Sequence, residues 1–495
     1  MIATTATHTK TKRLIVGTSA VLCLLLGSAI AIQSELTMLA LLAIAGLVFF
    51  FLFPRRALIL FLLASFFIPS YTKIDATAIF IFFVAGVSFV LHKQWDVLRN
   101  NAVLRPLLVI AVIVVVSTLA GLTFEKNRVE DIYRDGRTFL YWLVLIPLAA
   151  WTPKDNSVRW LADRMMQIGL VVCLLAIAQG LTGKRLVDTG LVADLDTMNM
   201  QSMSTVRVQI PGFVFAMFAI TYVTSMMLGG VRYVRPWRMG FKTINIRIPL
   251  ILIWGSLALG IIFNFGRALW LWTAVCLLIA AAQYGYRGFV RFLAWVAVPA
   301  VLGLAAMAVV KPDMLDTIGS RIMSVADEGG VGSSFGWREL EMQDGRKALE
   351  ATSLLGVGMG GKYRRFNEML ANFPDHTIYT HNGWLYLTLK LSIFGLLAYL
   401  WLGWRVARSI AKAPKRDDGE RAVGIACVSF LIGFAGLNFT QPEIMSHYGL
   451  LTFVFICAIA FFFRKQARDA LAGDMVDDPE SRAFHDTIPS QLALA

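Results

Sequence analysis

Histidine and asparagine stand side by side at 381 and 382, directly before the apolar run GWLYLTLKLSIFGLL (383–397). A histidine there sits near a helix amino terminus, where the dipole favours the neutral ring. A neutral imidazole can take a proton from an attacking hydroxyl. His376, five positions earlier, competes for that role. Arg267 lies in FNFGRALWLW (263–272), Arg207 in STVRVQIPG (204–212), and Arg338 in GWREL (336–340). The planar fork of an arginine suits phosphate oxygens. One base and several arginines could take a proton from a hydroxyl and hold a phosphate-bearing anion. Asp194 and Asp196, in DLD, offer oxygens to a hard divalent cation, but no third ligand is evident and the acids lie in a polar loop. Neither a metal nor a cofactor is expected.

The elements that must position these residues are membrane helices. The chain has 495 residues, of which 57% are hydrophobic, and a mean hydropathy of +0.66. That is more apolar material than a soluble core uses. Runs such as LLVIAVIVVVSTLAGL (107–122) are apolar on every face and long enough to span a bilayer. Barrel strands would alternate, so helices are expected. The expected architecture is an all-α polytopic integral membrane protein of about twelve to fourteen transmembrane helices. Spans begin near residues 14, 37, 57, 76, 107, 139, 166, 208, 248, 268, 292, 383, 422 and 447, those at 57 and 139 being short.

Arginine and lysine mark alternate loops, as in Lys10/Lys12/Arg13, Lys93/Arg99/Arg105, Arg232/Arg235/Arg238 and Arg405/Arg408/Lys412. Such loops face the cytoplasm, which puts both termini inside. The net charge of +14 is then explained by an anionic inner leaflet, without nucleic acid. The organisation reads as a cytoplasmic amino terminus (1–13), a helical region (14–310), a long exported loop (311–380), a second helical region headed by His381 (381–463) and a cytoplasmic polar tail (464–495). AIA (29–31) resembles a signal-peptidase site, although retention of the first segment as an anchor is expected. Cys23, Cys173, Cys276, Cys427 and Cys457 all fall in expected spans and read as core residues.

Three exported loops exceed a short turn. The first, EKNRVEDIYRDGRT (125–138), reads as a solvated, salt-bridged turn. The second (184–207) holds the DLD acids and ends at Arg207. The third contains Arg338 and LLGVGMGG (354–361) and leads into His381.

Taken in order, NFGRALW, GWRE, LLGVGMGG and HNGWLYLTLKLSIFGLL resemble the O-antigen ligase and O-antigen polymerase superfamily of bacterial envelope glycosyltransferases, over roughly residues 205–400. Gly356, Gly358 and Gly360 fit the family's glycine run and Gly395 its second helix glycine. Lys390 stands where an acidic residue is common, and Ser392 where the first helix glycine is usual. The resemblance implies metal-independent, inverting transfer of a glycan from an undecaprenyl-pyrophosphate donor at the periplasmic face of the bacterial inner membrane. The acceptor would be lipid A core for a ligase or a growing polysaccharide for a polymerase. It implies His381 as base, Arg267, Arg207 and Arg338 on the pyrophosphate, and Asn382 with the three glycines in support. A transporter of lipid-linked sugars is the reading from a different class. It would need broken helices in two related halves and mid-membrane charges, and the sequence offers no such pattern.

Overall fold

The computed structural model describes residues 85, 88, 102–153, 156–182, 212–233, 238–239, 242–243, 248–264, 266–310, 319, 334–365 and 377–477. All lie in one compact unit, Ser65–Ala495. Arg207, Asp194, Asp196, His376, Cys23 and the first expected spans lie outside the described residues, apart from Ala85 and Ser88 in the span expected from 76.

The described chain is overwhelmingly helical. Helix α1 (Leu104–Thr123) leads to a short amphipathic helix α2 (Val129–Gly136), a 3-10 turn (Arg137–Val144) and α3 (Leu145–Trp151). Helices α4 (Ser157–Thr182) and α5 (Phe213–Leu228) follow. A two-residue hairpin, β1 (Arg238–Met239) against β2 (Lys242–Thr243), pairs Arg238 with Thr243 in antiparallel register within the basic loop. Then come α6 (Leu250–Phe263), α7 (Arg267–Ala282), α8 (Gly285–Val310), α9 (Ser334–Ala351), α10 (Gly383–Lys412), α11 (Asp418–Leu437) and α12 (His447–Asp477).

Five of these, α1, α4, α10, α11 and α12, are long and apolar enough to cross a membrane. Helices α5, α6 and α7 are apolar but shorter. Their sequences are apolar all round, so burial is decided by neighbours and not by an amphipathic stripe. Helix α5 is the clearest case: every residue but Met227 is buried, against α4, α6, α7 and α11. Helix α1 lies at the periphery, leaving Leu108, Val112, Val116 and Leu119 between 54% and 62% exposed. Such a stripe in water would invite association, whereas against lipid it is already solvated. Phe394, Leu397 and Trp404 form a similar exposed face on α10.

The start points expected near 107, 208, 248, 268, 383, 422 and 447 fall within about five residues of observed helix starts. Two elements begin earlier, α4 at Ser157 and α8 at Gly285. The region from 139 is a 3-10 turn followed by a seven-residue helix, too short to span at 1.5 Å per residue. Cys173, Cys276, Cys427 and Cys457 are free and buried, as the sequence led us to expect.

Candidate functional site

The start of α10 fixes His381. Asn382 is the helix N-cap: its Oδ1 accepts from the amides of Trp384 and Leu385, each at 3.0 Å. That satisfies two of the donors a helix start leaves over. Gly383 donates its amide to the Asn438 carbonyl at 2.7 Å. A Cβ at Gly383 would fall 2.5 Å from Asn438 Oδ1, so glycine lets the α10 start press against the end of α11. His381 therefore sits one residue outside the helix, its side chain 45% exposed, on a backbone held from both sides.

The ring meets an acid that the sequence did not single out. His381 Nδ1 lies 2.9 Å from Glu341 Oε2 and 3.1 Å from Oε1. The His381 amide donates to the same carboxylate at 3.0 Å. Glu341 comes from α9, which packs on α10 through Gly345 against Leu385 and through Leu349, which clusters with Leu389 and the loop residue Tyr363. The Glu341 side chain is only 7% exposed, and Arg364 Nη2 lies 3.3 Å from its Oε1. Burial pushes this carboxyl up, but the His381 hydrogen bonds and the Arg364 charge outweigh it and hold it below the usual carboxylate range. The carboxylate can only accept. A neutral His381 ring must then carry its proton on Nδ1, which leaves the Nε2 lone pair free. Tyr379 meets the ring edge-on, with centroids 5.2 Å apart, and its carbonyl accepts from Tyr363 Oη at 2.9 Å. The field at the ring is thus set by Glu341 as well as by the helix dipole.

The glycine run braces α10 a few turns further on. Gly356, Gly358 and Gly360 take φ of +75°, +68° and +74°, the left-handed region where glycine carries no Cβ penalty. The loop threads between α1, α2 and α10 at close range: a Cβ on Gly356 would lie 2.4 Å from the Leu389 carbonyl oxygen, and one on Gly360 2.7 Å from the Ile132 amide. Helix α10 itself breaks at Ser392, with φ 67° and ψ 176°. The backbone groups freed by the break find partners in the loop. Val357 donates to the Leu389 carbonyl at 2.8 Å, and Ile393 donates to the Leu354 carbonyl at 3.1 Å. Ser117 of α1 donates its hydroxyl to the Lys390 carbonyl. Interrupted backbone inside an apolar bundle persists only where protein satisfies it in this way.

At the same level Lys390 Nζ lies 2.7 Å from Asp135 Oδ2 and donates to the Gly361 carbonyl at 2.8 Å. Asp135 also accepts from Tyr386 Oη at 3.0 Å and from the Gly360 amide at 2.9 Å. This corrects the expectation for the 125–138 loop. Part of it is helix α2, and Asp135 is buried at 3% exposure; the Arg134–Asp131 pair at 2.9 Å is a salt bridge of the expected kind, though part-buried.

Arg338 sits three residues before Glu341, on the same face of α9, within electrostatic reach of Tyr379. Arg267 opens α7, whose Trp272 fills the space left by Gly436 near the end of α11. The α11 end also carries Asn438, against which α10 starts, so Arg267 and His381 belong to one end of the bundle. Asn382 has a capping role. The three glycines shape the brace rather than the His381 surface. No known family model matches this chain, and no curated protein matches it.

Proposed function

We propose that the protein is an O-antigen ligase-like, inverting membrane glycosyltransferase. It would move a glycan from an undecaprenyl-pyrophosphate donor to an acceptor hydroxyl, that of lipid A core, at the periplasmic face of the bacterial inner membrane. The observation that carries the reading is the His381–Glu341 pair, a half-exposed imidazole at the end of an apolar bundle with one nitrogen committed to a buried carboxylate. In this chemistry Nε2 removes the acceptor proton as the acceptor oxygen bonds to the anomeric carbon. The bond from that carbon to the pyrophosphate oxygen breaks, and its electron pair leaves with the undecaprenyl pyrophosphate. Attack opposite the leaving group inverts the anomeric centre. Arg338 and Arg267, at the same end, supply charge for the departing pyrophosphate, and Arg207 is assigned the same task by resemblance. Glu341 is a positioning residue that fixes the tautomer and balances the imidazolium formed in transfer, the logic of a histidine–carboxylate pair. A donor already activated by pyrophosphate needs no metal for this step.

Polymerisation of repeat units uses the same base and cations, so the acceptor must be settled by product. In a deletion strain, loss of all capped lipid A core identifies a ligase, and survival of single-repeat caps without a polymer ladder identifies a polymerase. Purified protein that converts lipid-linked donor to product in detergent meets the enzymatic reading; failure to do so, with transport between two compartments intact, rejects it in favour of a transporter.

A further inference from the structure

The other end of α10 carries a second cluster of cations that the proposed reaction does not use. From Gly383 to Arg405 the helix runs about 33 Å at 1.5 Å per residue, roughly the thickness of a hydrocarbon core. There Arg405, Arg408, Ser409 and Lys412 of α10 join Arg464 of α12 around a cavity of about 110 Å³. Arg405, Arg408 and Lys412 are spaced three and four residues apart and so share one face of α10. No acidic side chain lines the cavity.

Among the described residues, no acid pairs with the cluster. Arg159 of α4 reaches Asp417, and Arg164 donates to Gln167 Oε1 at 2.5 Å. Asp417 also accepts the Glu420 amide at 3.0 Å. Glu420 accepts from the Arg416 amide at 3.0 Å and from Gln466 Nε2 at 3.2 Å. Asp417 and Glu420 are therefore engaged elsewhere. Among the described residues, Nε of Arg405 and Nε of Arg464 are both buried with no hydrogen-bond partner. A donor buried without a partner is costly, and two of them beside further cations more so. Attraction to the negative end of α10 accounts for Lys412 in the last turn but does not extend back to Arg405. Lys415 already donates to the Ala413 carbonyl at 2.6 Å, as a capping cation does.

We propose that this cavity is a phosphate-binding site, shaped for the phosphodiester of an anionic membrane lipid entering between α10 and α12. Arg405 and Arg408 from α10 and Arg464 from α12 would surround the phosphate from different directions, the orphaned Nε groups of Arg405 and Arg464 donating to its oxygens. A cavity of about 110 Å³ has room for a phosphate group. It opens where helices of bilayer-spanning length end, the level of lipid headgroups. A soluble phosphate has the same chemistry, and the test separates the two sources.

Native mass spectrometry of detergent-purified protein, offered equal amounts of phosphatidylglycerol and phosphatidylethanolamine, should show preferential retention of phosphatidylglycerol. Arg408→Gln alone should weaken that preference about fivefold, the equivalent of about 1 kcal/mol per headgroup cation. The triple variant Arg405→Gln/Arg408→Gln/Arg464→Gln should abolish it. A thermal shift with inorganic phosphate is the second arm. Stabilisation of wild type by phosphate, lost in Arg408→Gln, with no lipid preference, keeps the site and assigns it to a soluble anion. Equal retention of both lipids with no phosphate effect overturns the proposal, as does an unchanged preference in Arg408→Gln, an exposed position whose replacement leaves the core intact.

Discussion

Lys390 Nζ lies 2.7 Å from Asp135 Oδ2, with the two side chains 0% and 1% exposed. The pair joins the short helix α2 to the middle of α10 and, through the Gly360 amide and the Gly361 carbonyl, closes on the glycine loop. An ion pair this deep contributes less than its charges suggest, because desolvation offsets the attraction, but breaking it leaves a stranded charge. Asp135→Asn or Lys390→Met alone should therefore lower stability by about 3–5 kcal/mol. The double variant should recover most of that loss, read as the thermal midpoint in detergent. Additive losses in the double variant would mean the two residues act separately.

Ser392 holds φ 67° and ψ 176°, a region populated almost only by glycine and costly to other residues by about 1–3 kcal/mol. Its hydroxyl accepts the Phe394 amide at 3.2 Å, which offsets part of that cost. Ser392→Gly relieves the strain while losing the hydrogen bond; Ser392→Ala loses the bond and keeps the strain. The glycine variant should be the more stable by about 1 kcal/mol, and equal melting of the two would refute a strained Ser392.

Glu341→Gln replaces a carboxylate that can only accept with an amide that can also donate, so the charge is lost and the His381 tautomer is no longer fixed, while the side-chain shape is kept. Transfer should fall by about 10²- to 10⁴-fold, with donor binding retained. His381→Ala should fall comparably, and the double variant should be no worse than His381→Ala, because the two residues act as one unit. A Glu341→Gln protein of full activity would show that the carboxylate only anchors α9.

The stability of the α9–α10 junction should depend on pH with a definite sign. Folding lowers the Glu341 carboxyl below its ordinary value through His381 and Arg364, against the opposing effect of burial. The corresponding stability is present above the unfolded carboxyl value and is lost as pH falls through the lower folded one. Acid titration followed by limited proteolysis of α9 should reveal this loss in wild type and a weaker one in Glu341→Gln. Identical acid profiles would refute it.

Arg267→Lys and Arg338→Lys keep charge but lose the planar fork. A pyrophosphate role predicts slower transfer or weaker donor binding in both, at unchanged expression. Wild-type kinetics in both lysine variants would remove these arginines from the proposed site.

The sequence by itself determined the class of fold, because length and hydropathy of a run are local properties and an apolar twenty-residue stretch has few alternatives to a helix. It also marked His381, since a histidine and an N-cap residue before an apolar run are adjacent in the chain. The three glycines stood out through their resemblance to a family motif, while their left-handed conformation was visible only in the structure. The partners were not legible. Glu341 is one acid among several on a charged helix, with Glu339, Asp344 and Glu350 close by, and only the packing of α9 against α10, through Gly345, brings it to His381 across 40 positions. Asp135 read as one more loop acid until tertiary structure set it 3.0 Å from Tyr386 Oη, 251 positions away. Contacts so distant in sequence depend on how helices stack, and helices apolar on every face carry no stripe that tells which neighbour each will choose.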